Sequence, residues 1–167
     1  MALWTYSELN LALKNQLCKE FIANNLPIET VVIDSRKAVK GSLFVALKGE
    51  NTDGHNYLNQ AIELGASYAI VDKIPQDLKD QNKSHLIIVK DTYKALDELA
   101  IFARNRFKGT VIGLTGSVGK TTTKEMLGIA IASQGKTHIN QGNFNNHIGL
   151  PLSLANLLES NQYAIFE

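Results

Sequence analysis

The string Thr115-Gly-Ser-Val-Gly-Lys-Thr-Thr122 brings together the residue types that hold a polyphosphate. Gly116 and Gly119 let the backbone curl so that successive N–H groups converge on an anion. A helix beginning at Lys120 would add about half a positive charge at its N-terminus. Lys120 supplies a mobile ammonium for the β- and γ-phosphates, and the Thr121 hydroxyl can ligate Mg²⁺. Thr115, Ser117, Val118 and Thr122 complete the nucleotide-contacting segment. The strict phosphate-loop pattern wants its first glycine where Leu114 stands, one residue after Gly113, so the general motif is matched with an offset. A second piece of chemistry is Tyr163-Ala-Ile-Phe-Glu167, an apolar run ending in an acid. Nucleotide-hydrolysing folds hold magnesium with such a residue, which makes Glu167 the second metal-ligand candidate.

Two further segments are rich in polar groups. Residues 141–149 pack three asparagines, a histidine and two glycines ahead of Pro151. Neutral amides at Asn143, Asn145 and Asn146 suit a sugar or a phosphate already balanced by magnesium, although an ordinary turn has the same composition. Earlier in the chain, Asp34-Ser-Arg36 and Lys48-Gly-Glu-Asn-Thr-Asp-Gly-His55 each follow an apolar run, so the two loops could face one ligand. Arg36 offers a bidentate fork for phosphate, and Ser35 and His55 can hydrogen-bond a base or sugar. The competing reading is plain structure: an Asp34–Arg36 surface pair and an Asp53-Gly54 turn. His85, His138 and His147 lack metal-ligand spacing, and no zinc site is expected.

These residues need elements to position them. A short helix is expected after a Thr5 or Ser7 cap, with apolar residues also at Cys18 to Ala23, and strands at 31–34 and 42–47 with a tight Lys40-Gly41 connection. Helical spacing from Tyr57 to Leu64 stops at Gly65, followed by strands at 68–71 and 86–89 around a polar loop. Ala95, Leu96, Leu99, Ala100, Phe102 and Ala103 recur at three and four and predict a helix from Asp91-Thr92 to Arg106. The pattern then restarts: strand 111–115, helix 120–133, strand 137–139, helix 151–158, strand 163–166. That alternation predicts a parallel sheet. The reading is therefore α/β in two parts: a small N-terminal domain over 1–107, and over 108–167 the start of a parallel-sheet phosphate-loop ATPase domain. The stop at Glu167 inside an apolar strand suggests a fragment of a longer protein.

Composition narrows the class. Apolar residues at 44% and charged residues at 20% suffice for a core and exclude general disorder. Seventeen Lys plus Arg against sixteen Asp plus Glu leave +1, which lacks the field of a nucleic-acid or anionic-membrane binder. Cys18 is the single cysteine, so no intrachain disulfide or Cys-based zinc site can form. No export signal or spanning run is visible, and a cytoplasmic, monomeric protein is expected.

The chain resembles the Mur ligases, ATP-dependent amide-forming enzymes of bacterial cell-wall synthesis. The resemblance is carried by Asp34-Ser-Arg36, Gly41 to Gly49, Asp53-Gly-His55, the 115–121 loop with its offset glycine, Ser117 to Met126, and Gly142 to Pro151. The last two strings are most similar to the family member that adds D-alanyl-D-alanine. The resemblance implies that ATP, with Mg²⁺, phosphorylates the carboxylate of a UDP-MurNAc-tripeptide and that the D-alanyl-D-alanine amine then displaces phosphate. It implies Lys120 and Glu167 as catalytic groups, Thr121 and Glu167 as magnesium ligands, and Ser35, Arg36, Asp53, His55, Asn143, Asn145 and Asn146 as substrate contacts. It also implies that the remaining domains lie outside these 167 residues and that the piece alone does not ligate. Alternatives are the relative that adds the third residue, another phosphate-loop NTPase, or a nucleotide-sugar binding module without catalysis.

Overall fold

Short β-branched and apolar runs separated by helical spacing assemble into two parallel sheets in a computed structural model that describes residues 2–19, 21, 26–140 and 147–167. The chain divides into two units, Met1–Leu99 and Ala100–Glu167. The expected α/β architecture with parallel sheets is what the chain adopts.

The first unit opens with α1 (Tyr6–Leu13), started by a capping box. The Thr5 N–H donates to the Glu8 carboxylate at 2.8 Å, and the Glu8 N–H donates back to the Thr5 hydroxyl at 3.3 Å. Thr5, rather than Ser7, is therefore the cap. Much of the apolar run from Cys18 to Ala23 lies outside the described residues. Four strands follow in sheet order: β1 (Thr30–Val32), β2 (Ser42–Val45), β3 (Ala66–Val71) and β4 (Leu86–Ile88), all parallel. β1 and β2 are not joined by a tight connection. A 3₁₀ turn over Ser35–Lys37 returns the chain to the starting edge of the sheet, as parallel pairing requires.

Every residue of β2 and β3 is buried, which explains their continuous rather than alternating apolar pattern. Phe44, Ala69 and Val71 pack with Leu58 and Ala61 of α2 (Leu58–Glu63). The polar stretch before β4 forms a 3₁₀ turn over Asp80–His85. α3 (Thr92–Arg106) begins where the Asp91 carboxylate accepts the N–H groups of Tyr93 and Lys94 at 2.9 and 3.0 Å. The predicted apolar positions Ala95, Leu96, Leu99, Ala100 and Ala103 are buried.

The second unit carries β5 (Thr110–Gly113), α4 (Lys120–Ala132), β6 (Thr137–Ile139), α5 (Gly149–Ala155) and β7 (Tyr163–Phe166). The sheet order is β5-β7-β6, so the last strand in sequence sits in the middle, parallel to both neighbours. Phe107, Leu157, Ala164 and Phe166 form its core. Among the described residues, no helix is long and apolar enough to cross a membrane.

Candidate functional site: a phosphate loop and two edge loops

In the second unit, the loop leaves the sheet at its C-terminal edge. The Leu114 N–H donates to the Phe166 carbonyl at 2.8 Å, extending the β5–β7 pairing one step and fixing where the loop begins. Gly119 has φ +77°, the left-handed region that a side chain strongly disfavours, and α4 begins at the next residue. No side chain caps α4, so its first amides face the loop instead of a Ser or Asp oxygen. The loop tip is open, with Val118 90% exposed. Lys120 folds over the loop, its Nζ donating to the Gly116 carbonyl at 2.7 Å. An uncapped helix N-terminus and an ammonium folded over an open loop make this a candidate anion site.

Glu167 follows β7 and reaches the same place. The Thr121 hydroxyl donates to Glu167 Oε2 at 3.0 Å, joining the two proposed metal ligands across 46 residues of sequence. These are hard oxygen donors, the type magnesium takes. Among the described residues, no group of three or more His, Cys, Asp or Glu could hold a metal. Two such donors would leave most positions of a magnesium ion to other oxygens, such as phosphate and water.

Two residues not singled out by sequence reasoning complete this arrangement. Lys124 Nζ lies 3.5 Å from Glu167 Oε2, with the two side chains 2% and 5% exposed. Asn140 follows β6 as Glu167 follows β7, and its Oδ1 accepts the Glu167 N–H at 3.2 Å. A signal for Lys124 was present: it stands four residues after Lys120, on the same helix face. Asn140 could be found only from the β6–β7 register, in which Ile139 pairs with Ile165.

Asn143, Asn145 and Asn146 lie outside the described residues. His138 is structural in its contacts. Its Nε2 lies 3.1 Å from the Ser153 hydroxyl, its ring packs on Phe166, and burial lowers its pKa, keeping it neutral at pH 7.

In the first unit, the loops after β1 and β2 leave the same sheet edge, because parallel strands end together. Asp34 caps the Ser35–Lys37 turn by accepting the Arg36 N–H at 3.0 Å. The Arg36 fork also closes on the Asp34 carboxylate, with Nε and Nη2 donating at 2.9 and 2.8 Å. That contact holds the Asp34 carboxyl below the usual carboxylate range. Arg36 is otherwise solvent-exposed, whereas Ser35 is buried and donates from Oγ to Gln60 Oε1 at 2.8 Å.

The β2 loop is held more firmly. A Cβ at Gly54 would lie 2.9 Å from the Leu47 backbone nitrogen and oxygen, so only glycine allows this approach without backbone movement. Asp53 Oδ1 accepts the His55 N–H at 3.0 Å and faces His55 Nδ1 at 2.6 Å, while Lys73 Nζ donates to Oδ2 at 2.6 Å. His55 Nε2 lies 3.3 Å from the Asp72 N–H and 3.1 Å from the Asp72 carboxylate. His55 is 2% exposed, so it ties the loop to the end of β3 from inside.

Burial raises the Asp53 pKa, but the hydrogen bonds from Lys73 and His55 outweigh it and hold the carboxyl far below its ordinary value. A depressed folded-state pKa contributes stability that is present above the unfolded value of about 3.9 and lost as pH falls below it. The melting temperature of Asp53→Asn is therefore expected below wild type at pH 7, with the gap narrowing between about pH 4 and pH 2. A gap unchanged across that range would remove Asp53 as the source.

By itself, the second unit is a parallel sheet with a glycine-rich turn leading from β5 into α4. Residues 27–104 match the Mur ligase family, catalytic domain, and residues 114–167 match the Mur ligase middle domain. The chain belongs to the Mur ligase family.

Among its relatives, the UDP-N-acetylmuramoyl-tripeptide–D-alanyl-D-alanine ligase of Rickettsia prowazekii is 38% identical over 99% of this chain and 35% of its own length. The Bacillus subtilis protein of the same name is 40% identical over 84% of this chain and 30% of its own length. A solved MurF from Acinetobacter baumannii superposes with a TM-score of 0.81 at 39% identity, covering 98% of this chain and 35% of that one. A MurF from Thermotoga maritima, solved in complex with ADP, gives 0.63 at 34% identity over 83% and 31%. The chain thus spans about a third of the length of these relatives.

Proposed function

We propose that this chain is the nucleotide-sugar and phosphate-loop part of a cytoplasmic, monomeric, ATP-dependent ligase that joins D-alanyl-D-alanine to UDP-MurNAc-tripeptide. The observation that carries the reading is the uncapped start of α4 with Lys120 above it and the Thr121–Glu167 contact beside it. Relatives that bear this name, and a MurF solved with ADP, support it. Residues 1–107 are assigned to the UDP-sugar side and 108–167 to the ATP side.

In the reaction, a carboxylate is a poor electrophile, and transfer of the γ-phosphoryl group from ATP makes an acyl phosphate that an amine can attack. The loop amides of 115–119 and the Lys120 ammonium stabilise charge on the transferring group. Mg²⁺, held by Thr121 and Glu167, would supply further charge neutralisation there. Arg36 is the exposed cation for the UDP diphosphate. Ser35, Asp53 and His55 shape the loops around it, and Asn143, Asn145 and Asn146 are assigned to the nucleotide-sugar side.

The test is phosphate release by the complete protein with each substrate omitted in turn. Release is expected only when ATP, UDP-MurNAc-tripeptide and D-alanyl-D-alanine are all present. Release that proceeds without D-alanyl-D-alanine, or with a single amino acid in its place, would overturn the assignment. Residues 1–167 alone are expected to bind UDP-MurNAc-tripeptide in a calorimetric titration and to release no phosphate.

A further inference from the structure

We infer that Lys124 is a positioning residue of the nucleotide site, a resident cation that sets how strongly Glu167 attracts a divalent metal. The inference rests on the nucleotide-site reading above. Lysine is among the side chains least often buried, and an ammonium taken from water needs an anion beside it. Lys124 is buried one turn along α4 from the partly exposed Lys120, with the Glu167 carboxylate 3.5 Å away. The oxygen it approaches, Oε2, is the one that accepts the Thr121 hydroxyl. One carboxylate oxygen is thus shared between the hydroxyl assigned to magnesium and a fixed positive charge.

Two consequences follow from Coulomb's law. The ammonium stabilises the carboxylate when no metal is near, so Glu167 stays aimed at Thr121. It also repels a divalent ion at the same place, so a bare metal binds weakly. A metal carried on a nucleotide arrives with phosphate charge that offsets the repulsion. Lys124 therefore makes the site select the metal–nucleotide complex over the free metal.

The experiment uses the complete protein, Mn²⁺ as a spectroscopic stand-in for Mg²⁺, and electron paramagnetic resonance to count free Mn²⁺ with and without ADP. Lys124→Met is expected to tighten binding of Mn²⁺ alone by at least about tenfold, the floor set by one unit charge acting on a divalent ion several ångströms away through water. Mn²⁺–ADP binding should change much less. A lysine that only fills space would lower the melting temperature and leave the Mn²⁺ affinity where it was, and that result overturns the inference.

If Lys124→Met proves too unstable to titrate, the Lys124→Met/Glu167→Gln double variant carries the test. It is expected to melt above Lys124→Met, because no buried carboxylate loses its counter-ion, and a melting temperature equal or lower overturns the proposal. Wild-type protein that fails to bind Mn²⁺–ADP would instead bring down the nucleotide-site reading itself. Binding by wild type with no shift in Lys124→Met brings down only the role of Lys124.

Discussion

Replacing Lys120 by alanine is expected, on the proposed ligase reading, to lower turnover of the complete protein by about 10²–10³-fold, the range for removing one preorganised donor from a developing charge. The charge on the transferring phosphoryl group lies at its peripheral oxygens, and Lys120 is the cation whose stem starts at the first residue of α4. Its ammonium already lies over the loop, 2.7 Å from the Gly116 carbonyl. The same contact predicts little cost in stability. It is an exposed hydrogen bond on the loop's own backbone, and the melting temperature should remain close to that of wild type. Steady-state phosphate release and a thermal melt on the same preparation check both halves. Turnover within about threefold of wild type would remove the phosphate-loop assignment, because no other described residue combines that charge with that position.

The second large effect is expected at His55. Truncation to alanine removes a buried ring that touches Asp53 on one nitrogen and Asp72 on the other. A largely buried carboxylate loses one of its partners, and a backbone N–H loses its acceptor. The combined cost is about 3 kcal/mol, within the range for breaking one member of a buried polar pair. The loop between β2 and α2 would lose its tie to the end of β3, so UDP-MurNAc-tripeptide should bind more weakly while ATP binding is unchanged. His55→Asn separates the contributions, because its amide can replace the Nδ1 donor to Asp53 but cannot reach Asp72. It should recover part of the stability lost in His55→Ala. Denaturant unfolding and calorimetric titration with each substrate provide the measurements. Equal stability of His55→Ala and wild type would show that the ring holds nothing in place.

How much could be read before folding differed between neighbouring parts of the site. The phosphate loop was legible because its atoms come from eight consecutive residues, Thr115 to Thr122, so composition and order alone define the backbone path. The apolar face of α3 was legible for the same reason, since its residues recur within a few turns, whereas the choice of Thr5 over Ser7 as the α1 cap came only with the Glu8 contact. His55 was legible as a polar residue near a binding edge but not as a buried one. Its burial involves Asp72, 17 residues away and just past the end of β3.

Residue type and local spacing alone thus determined the α/β class, the order of the main strands and helices, and where the candidate anion site would fall. Tertiary structure decided that β7 enters between β5 and β6, which brings Glu167 to Thr121 and Lys124 and sets Asn140 behind it. The physical reason is range: periodicity reports which face of an element is apolar, whereas strand order and register arise from packing between segments tens of residues apart.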